Sequence, residues 1–354
     1  MKQIVVLSGK GGTGKTTFAA ALAHLASQEI DLAIADADVD AANRYGVTPL
    51  SLAARDGNAD LLTILFDAGA SATKSEEALP EAQTLAMLAA RTGRIDALDI
   101  LARHDAVDVD ARESRNRTTV LMWAALENRA DAITFLAGLG ADPNARSGLT
   151  DYPHLGNGVL LTPPEDGVTY AGQTPLQNGG WTALMYAARS GATDAIAALA
   201  AAGADLDATD PLGESALTLA IINGHWNAVD ALLAAGASPN VADNAGTTPV
   251  YAAVDFHSLP ETYGRPAPKP RIVDGAVAAV RRLIEAGADP NATLTGSPLR
   301  RQYTTGDARL RAGATPLMRA AVAADIAMLR LLLDGGADVD AVAGNGQNAL
   351  RLAA

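Results

Sequence analysis

The chain has 354 residues, and its 27 Lys and Arg residues against 40 Asp and Glu residues give a net charge of −13. This charge leaves no overall basic field, which argues against a general nucleic-acid-binding protein. The sequence has no cysteine, which excludes disulfides and thiolate-bound metals. Its apolar runs are too short for a membrane span or a secretory signal peptide. We therefore expect a cytoplasmic monomer that binds neither nucleic acid nor membrane.

The first 43 residues carry a phosphate-binding motif. An apolar, strand-like run at residues 4–7 precedes a loop that matches G-x-x-x-x-G-K-[ST], and an apolar helix is predicted at residues 17–27. The N–H groups of such a loop surround phosphate oxygens, while Lys15 reaches the β- and γ-phosphates and the Thr16 hydroxyl binds Mg²⁺. The predicted nucleotide-binding residues are Gly9, Lys10, Gly11, Gly12, Thr13, Gly14, Lys15, Thr16 and Thr17.

The additional lysine of this motif, Lys10, makes the segment resemble the MinD/ParA group of P-loop ATPases. Residues 31–35, followed by Asp36 and Asp38, are similar to the second strand and switch aspartates of that group. The resemblance implies a short β-α-β fragment that binds ATP, with Mg²⁺ held by Thr16, Asp36 and Asp38. The similarity stops near residue 43, where the further metal-sensing aspartate and the adenine-binding segments of the group do not follow.

A second interpretation of these residues is structural. Residues 37–41 repeat the text of residues 337–341, Ala-Asp-Val-Asp-Ala, and residues 30–35 also align with residues 330–335. In this interpretation residues 15–36 supply an apolar helix that covers the first repeat of the following domain. Asp36, Asp38 and Asp40 then lie on a solvated arm. A third interpretation is a chimera that was joined at the shared stretch.

The remainder of the chain is repetitive. Residues 180–208 and 213–242 follow one plan, and their T-x-L-x-x-A-like cores begin 33 residues apart, at Thr182 and Ser215. Thr followed by Pro, as at Thr48, is typical of a helix start, and Gly is typical of the end of each helix. The predicted repeat starts are Thr48, Thr84, Thr119, Thr182, Ser215, Thr248, Thr315 and Asn348.

A period of this length with this core resembles the ankyrin repeat. The resemblance implies an all-α fold, an ankyrin-repeat α-solenoid of about seven and a half repeats at residues 44–354, behind the P-loop fragment at residues 1–43. Insertions are predicted at residues 148–178, 256–274 and 293–313. No catalytic residue is predicted, and the spacing of the five histidines does not suggest a metal site.

In ankyrin folds the hairpin arms and the first helices form a concave binding face. Arg, Tyr and Trp at these positions are the residue types that dominate interface energetics. The predicted partner-binding residues are Arg44, Tyr45, Arg55, Arg91, Arg117, Trp181 and Arg189. Because Arg also suits the C-terminal end of a helix, a purely structural role stays open. The favoured function is a protein-interaction scaffold, and the alternative is a nucleotide-switched ATPase fused to an ankyrin adaptor.

Overall fold

The computed structural model describes residues 39–153, 175–258, 270–296 and 309–353. The described residues fall into two compact units, which divide between Ser147 and Gly148. The predicted β-α-β fragment lies outside the described residues. None of the helices in the described ranges is long and apolar enough to cross a lipid bilayer.

The first unit is a stack of helix pairs. Its helices are α1 (Pro49–Asp56), α2 (Ala59–Asp67), α3 (Ala72–Ala78), α4 (Leu85–Thr92), α5 (Ile95–Arg103), α6 (Val120–Leu126) and α7 (Ala130–Gly138), with a 3₁₀ turn at Pro80–Ala82. The pairs are α1/α2, α4/α5 and α6/α7. We call the two members of a pair its first and second helix, and the segment that leads into a pair its arm. First helices pack on first helices and second helices on second helices.

The second unit repeats this arrangement after a short sheet. Its elements are β1 (Leu149–Pro153), β2 (Pro175–Gly179), α8 (Ala183–Ser190), α9 (Thr193–Ala201), α10 (Ala216–Ile222), α11 (Trp226–Ala235), α12 (Pro249–Ser258), α13 (Pro270–Glu285), α14 (Pro316–Val322), α15 (Ile326–Asp334) and α16 (Ala349–Ala353). The described residues of this unit form four helix pairs and one first helix without a second helix, α16. Together with the first unit they confirm the predicted ankyrin-type α-solenoid.

The helices begin where the sequence predicts. At most first-helix starts a Thr or Ser hydroxyl accepts a hydrogen bond from the N–H three residues later, which satisfies a donor that has no partner within the helix. Asn348 uses its side-chain amide oxygen in the same way, toward the N–H of Arg351 at 3.0 Å. The hydroxyl caps with these bonds are Thr48, Thr84, Thr182, Ser215 and Thr315.

Glycine ends the first helix of several pairs for two reasons. Gly57, Gly93 and Gly191 each have a positive φ, between 67° and 74°, the left-handed conformation that glycine adopts without strain. In addition, the next repeat packs against this turn. A Cβ added at Gly93 would lie 2.7 Å from Cδ of Arg129, and one at Gly191 would lie 2.8 Å from Nδ1 of His225. The glycine therefore lets consecutive repeats approach closely.

Two of the three predicted insertions begin and end in regular structure, and backbone hydrogen bonds close the third. Strands β1 and β2 pair antiparallel, with Leu149 opposite Gly179, at the base of the first insertion. Helix α12 continues to Ser258 and α13 starts at Pro270, so both helices extend into the second. The third is closed by hydrogen bonds from the N–H of Leu294 to Ala314 O at 3.0 Å and from the N–H of Gly313 to Leu294 O at 2.8 Å.

Residues 39–43, the last of the predicted P-loop fragment, lie in the arm of the first repeat. The Asp40 carboxylate accepts from the N–H of Ser71 at 2.7 Å and pairs with Lys74 Nζ at 2.9 Å. The Asn43 side-chain oxygen accepts from the N–H groups of Tyr45 and Val47 at 2.9 and 3.1 Å. These contacts build the turn that leads into α1.

A glycine inside α13 gives a test of the packing. Gly275 lies under the indole of Trp226, and an added Cβ would overlap that ring. Trp226 in turn packs edge-to-face on Phe256, with ring centroids 5.2 Å apart. Gly→Ala within a helix normally stabilises by roughly 0.5–1 kcal/mol. We expect Gly275→Ala instead to lower the free energy of unfolding by about 1–3 kcal/mol through overpacking.

The measurement is urea unfolding followed by circular dichroism. Gly138→Ala is the matched control, because Gly138 is also helical and an added Cβ would meet no atom within 4 Å. Equal stabilisation by both substitutions would contradict the packing of Trp226 on α13.

Candidate partner-binding surface

Hydrogen bonds between successive repeats hold the arms in a row. In each case a side-chain oxygen in one arm accepts a hydrogen bond from a backbone N–H in the following arm. That N–H lies just after the second helix of the pair that separates the two arms. The pairs are Asp40 with Ser71 at 2.7 Å, Asp207 with Ser238 at 2.8 Å, Asn240 with Asp289 at 2.8 Å and Asn291 with Asp338 at 2.7 Å. Asn240 and Asn291 also donate to a carbonyl of the next repeat. The arms are therefore positioned before any partner arrives.

A second set of carboxylates and amides shapes the turn of each arm. Five residues ahead of their helix caps, Asn43, Asp210 and Asp243 each accept two backbone hydrogen bonds from the residues that follow, at 2.8–3.1 Å. The arm before α6 uses Glu113 for the same purpose. In the first three of these turns the side-chain bridge acts together with a left-handed glycine, Gly46, Gly213 or Gly246, and it fixes the direction of the exposed side chains in the turn.

Glu113 is the most heavily engaged of these groups. Only 3% of the residue is exposed, and its carboxylate accepts from the N–H groups of Arg115, Asn116 and Thr118 and from the Thr118 hydroxyl. Burial alone would raise the pKa of Glu113, but these hydrogen bonds outweigh it and lower the pKa below its ordinary value. The turn leaves Arg115 and Arg117 exposed at its tip.

The first helices of the first unit present arginine beside apolar side chains. Arg55 and Arg91 lie in the same register at the ends of the neighbouring helices α1 and α4, and both are exposed. The Arg91 guanidinium lies 5.2 Å from the Trp123 ring centroid and 3.3 Å from the Glu127 carboxylate. Leu126, in that register on α6, is 50% exposed. Arginine, tryptophan and leucine thus meet on one side of the stack.

The first arm carries another arginine–aromatic pair. Arg44 lies over the ring of Tyr45, 4.6 Å from its centroid, and also hydrogen-bonds to the phenol oxygen. Tyr45 is 65% exposed. Because the Asn43 bridge fixes the backbone of Tyr45, the pair occupies a defined position at the arm turn.

In the second unit Trp181 joins an arm to a helix end. Its indole lies 5.1 Å from the Arg189 guanidinium and edge-on to Tyr186 at 5.4 Å. Its Nε1–H donates to the Asp210 carboxylate at 3.2 Å. An arm residue and the last turn of a first helix therefore meet on the same side of this unit.

The structure brings together part of the predicted surface. Arg44 contacts Tyr45, Arg55 and Arg91 share a register, and Trp181 contacts Arg189, whereas Arg117 lies on a separate arm turn. Trp181 and Arg189 belong to the second unit and the other five residues to the first. The predicted nucleotide and Mg²⁺ residues, including Lys15, lie outside the described residues.

The sequence placed Leu126 in the register of Arg91 without naming it as a partner-binding residue, and it did not assign Trp123 and Glu127 to the surface. The signal for these residues in the sequence is their position in the repeat, because they lie on the first helix that follows the helix of Arg91. Trp123 follows its cap by four residues and Arg91 follows its own by seven, and these positions meet between neighbouring first helices. A tabulation of both positions across the repeats would have paired them.

A buried polar cluster in the second unit was also missed. Asp325 caps α15 and accepts hydrogen bonds from the N–H of Met328 and the hydroxyl of Ser258, and it contacts the ring of His257. Burial would raise its pKa, but the bonds from His257, Ser258 and Met328 lower it. Arg319 donates to Asp255 and to the Ser258 carbonyl. The groups come from α12, α14 and the cap of α15, so sequence proximity does not reveal them.

Comparisons with known families fit this geometry. A family model described as ankyrin repeats (3 copies) matches residues 73–147 and 184–260, and one described as ankyrin repeat matches residues 312–343. Together they span just over half of the chain. A model described as NUBPL iron-transfer P-loop NTPase matches residues 1–48, which includes the arm residues Asp40 and Asn43. No curated protein matches the sequence.

The hydrogen bonds to the Glu113 carboxylate predict that the arm before α6 becomes less stable in acid. Because the folded-state pKa is lowered, its contribution to stability is fully present above the ordinary value of 4.5 and is lost as the pH falls through the lowered pKa. Glu113→Gln removes the charge and replaces one carboxylate oxygen with an NH2 donor, so the N–H groups bound to that oxygen lose their acceptor. We expect this substitution to lower the free energy of unfolding by about 1–3 kcal/mol at pH 7. The difference in unfolding free energy between the variant and the unmodified chain should become smaller in acid.

Hydrogen exchange of the amides at residues 115–118, measured at pH 7 and near pH 3, checks this prediction. Glu77→Gln is the control, because Glu77 is an exposed glutamate of the same unit. If the Glu113→Gln variant kept the original protection at pH 7, the carboxylate would not be what holds the turn.

Proposed function

Because the chain belongs to the ankyrin-repeat proteins, we propose that it is a scaffold that binds a protein partner through its arms and first helices. Ankyrin repeats support protein–protein interaction in general. The observation that carries the proposal here is the exposed group of Arg91, Trp123 and Leu126 on neighbouring first helices. We expect the chain to act as a cytoplasmic monomer.

The residue types and their rigidity support this surface. Interface energy concentrates in Trp, Tyr and Arg that are packed against neighbours and desolvated on binding. Arg91 is already oriented by the Trp123 ring and Glu127, so less side-chain freedom is lost when a partner binds. An exposed cation–π contact stabilises by only about 0.5–1 kcal/mol, which leaves the arginine free to exchange its contacts.

Charge reversal at Arg91 separates a binding role from a structural one. We expect Arg91→Glu to abolish capture of the partner from a lysate of the source cells while the thermal midpoint changes by only a few degrees. The control is Arg103→Glu on the second helix α5, where Arg103 pairs with Asp99 one turn earlier. Equal loss from both variants, or from neither, would contradict the assignment of the surface.

A second candidate function is nucleotide binding by the N-terminal segment. The P-loop at Gly9–Thr16 and the family match over residues 1–48 favour it. Lys15 would contact the phosphates, and Thr16, Asp36 and Asp38 would hold Mg²⁺; ATP supplies a transferable phosphoryl group when it is bound. The chain continues from residue 39 as ankyrin arm and helix. We therefore infer that binding, where it occurs, is weak.

We expect no ATP turnover above background in the presence of Mg²⁺. Phosphoryl transfer needs the metal, the attacking water and the γ-phosphate to be positioned together, and the sequence after residue 43 carries the repeats in place of the rest of an ATPase domain. The assay compares the full chain with Lys15→Ala and with Lys2→Ala, a lysine outside the motif. Hydrolysis that Lys2→Ala keeps and Lys15→Ala loses would promote the switched-ATPase function.

A further inference from the structure

Asp40 makes the contact that closes a repeat, although no repeat precedes it among the described residues. Its carboxylate accepts from the N–H of Ser71 at 2.7 Å, just as Asp207 and Asn240 accept from the arms that follow them at 2.8 Å. Asp207 and Asn240 each lie 15 residues after the cap of the second helix that precedes them. Counting back 15 residues from Asp40 reaches Leu25. The contact therefore predicts a second helix directly after Leu25.

The register of a full repeat lies one period before the first repeat. Residues 15–38 precede residues 48–71 by 33 residues, the period between Thr182 and Ser215, and the two stretches align without a gap. Leu25 again falls at a second-helix cap, opposite Asn58. The alignment therefore agrees with the Asp40 contact. The residues that coincide with buried residues of the first repeat are Ala20 with Ala53, Ala21 with Ala54, Leu32 with Leu65 and Ala37 with Ala70.

The contacts between described repeats show which positions of neighbouring helices meet. On first helices, the residue seven positions after one cap meets the residue four positions after the next cap. On second helices, positions are counted back from the left-handed residue that follows each helix. The third position then meets the first position of the next repeat, and the sixth meets the fifth. The contacts that show these rules are Arg91 with Trp123 at 5.2 Å, Phe66 with His104 at 4.0 Å and Asp230 with Arg282 at 2.6 Å.

Applied one period earlier, the same rules give only apolar pairs. The left-handed position falls at Asp36, and Asp105 shows that aspartate adopts this conformation here, with a φ of 52°. Leu52 of α1 and Ile64 of α2 occupy contact positions of the first repeat, and both are partly exposed. Apolar residues at all six positions match a buried contact between repeats. The predicted pairs are Leu22 with Leu52, Ile30 with Ile64 and Ala33 with Ala68.

Two residues make this repeat weaker than the others. Gln28 and Glu29 fall at the positions of Leu61 and Leu62, which are 4% and 0% exposed. Burying an amide and a carboxylate there has an energetic cost that the apolar pairs have to offset. Residues 31–35 would also be helical, whereas the P-loop arrangement needs them as a strand. Docking and nucleotide binding therefore exclude each other, which is a reason for the weak nucleotide binding inferred above.

We propose that residues 15–38 dock on α1 and α2 as an additional, degenerate ankyrin repeat, through the three apolar pairs and the Asp40 arm. Repeats of a solenoid are stabilised by their nearest neighbours, so the docked segment stabilises the first repeat. The proposal is independent of the partner-binding surface around Arg91 and Trp123, so the two can fail separately.

Cross-linking of the full chain tests the predicted contact between first helices. The sequence has no cysteine, so an introduced pair is the only target of a short bis-maleimide. We expect the pair Leu22→Cys with Leu52→Cys to cross-link as fully as Arg91→Cys with Trp123→Cys, which has the same register in described helices. The control is Ser27→Cys with Leu52→Cys. Ser27 is nearer to Leu52 in sequence than Leu22 is, but it falls at the position of Asp60, which is exposed on α2.

Two cross-linking results would overturn the proposal. One is a Ser27–Leu52 pair that reacts as fully as the Leu22–Leu52 pair, because an undocked segment has no preferred face. The other is a Leu22–Leu52 pair that stays unlinked while the Arg91–Trp123 pair reacts.

Hydrogen exchange gives a second measurement that does not depend on cysteine variants. Leu32→Asp puts a charge at the position of the buried Leu65, so it should speed amide exchange in α1 and α2 by about tenfold through nearest-neighbour coupling. Val5→Asp is the matched control, because Val5 belongs to the P-loop arrangement and lies outside residues 15–38. Unchanged exchange in α1 and α2 with Leu32→Asp, or the same increase with Val5→Asp, would refute the docked repeat.

Discussion

Close stacking of first helices at paired small residues is the constraint on which both units depend. Ala53, Ala54, Ala89 and Ala90 are fully buried where α1 and α4 meet. The first alanine of this pair recurs in each later repeat, and Ile221 and Val254 replace the second in two of them. A single helix pair is too small to bury an apolar face by itself, so each repeat gains its core from its neighbour. A larger side chain at the first position, which is Ala in every repeat, would separate the helices and, with them, the arms that the helices carry.

This stacking also determines which side chains meet on the surface. The residue seven positions after one helix cap contacts the residue four positions after the next cap. In the first unit the contact is Arg91 with Trp123, which is open to solvent. In the second it is Asp255 with Arg319, which is only 6% exposed. The same register therefore gives an exposed arginine–tryptophan contact in one unit and an ion pair with a buried arginine in the other.

The periodic features could be predicted from the sequence because they are local. Helix starts at Thr48 or Ser215 and the left-handed turn at Gly93 depend on residues within one helix turn. The cluster around Asp325 joins residues more than 60 positions apart, and the surface contact between Arg91 and Trp123 crosses a repeat boundary. Such contacts depend on how repeats stack, which no local pattern specifies. Helix α3 was missed because it occupies an arm, outside the repeat period.

The junction near residue 40 shows how one stretch of sequence fits two families. The P-loop family model extends to residue 48, yet Asp40 binds the arm of the second repeat and Asn43 builds the turn before Thr48. Asp40 makes the same contact with its neighbour as Asp207, Asn240 and Asn291. The predicted switch aspartates, Asp36 and Asp38, and the arm aspartate, Asp40, lie within one short run, Asp-Ala-Asp-Val-Asp. At Asp40 the hydrogen bond to Ser71 assigns the residue to the repeats, so any phosphate chemistry belongs to the residues before it.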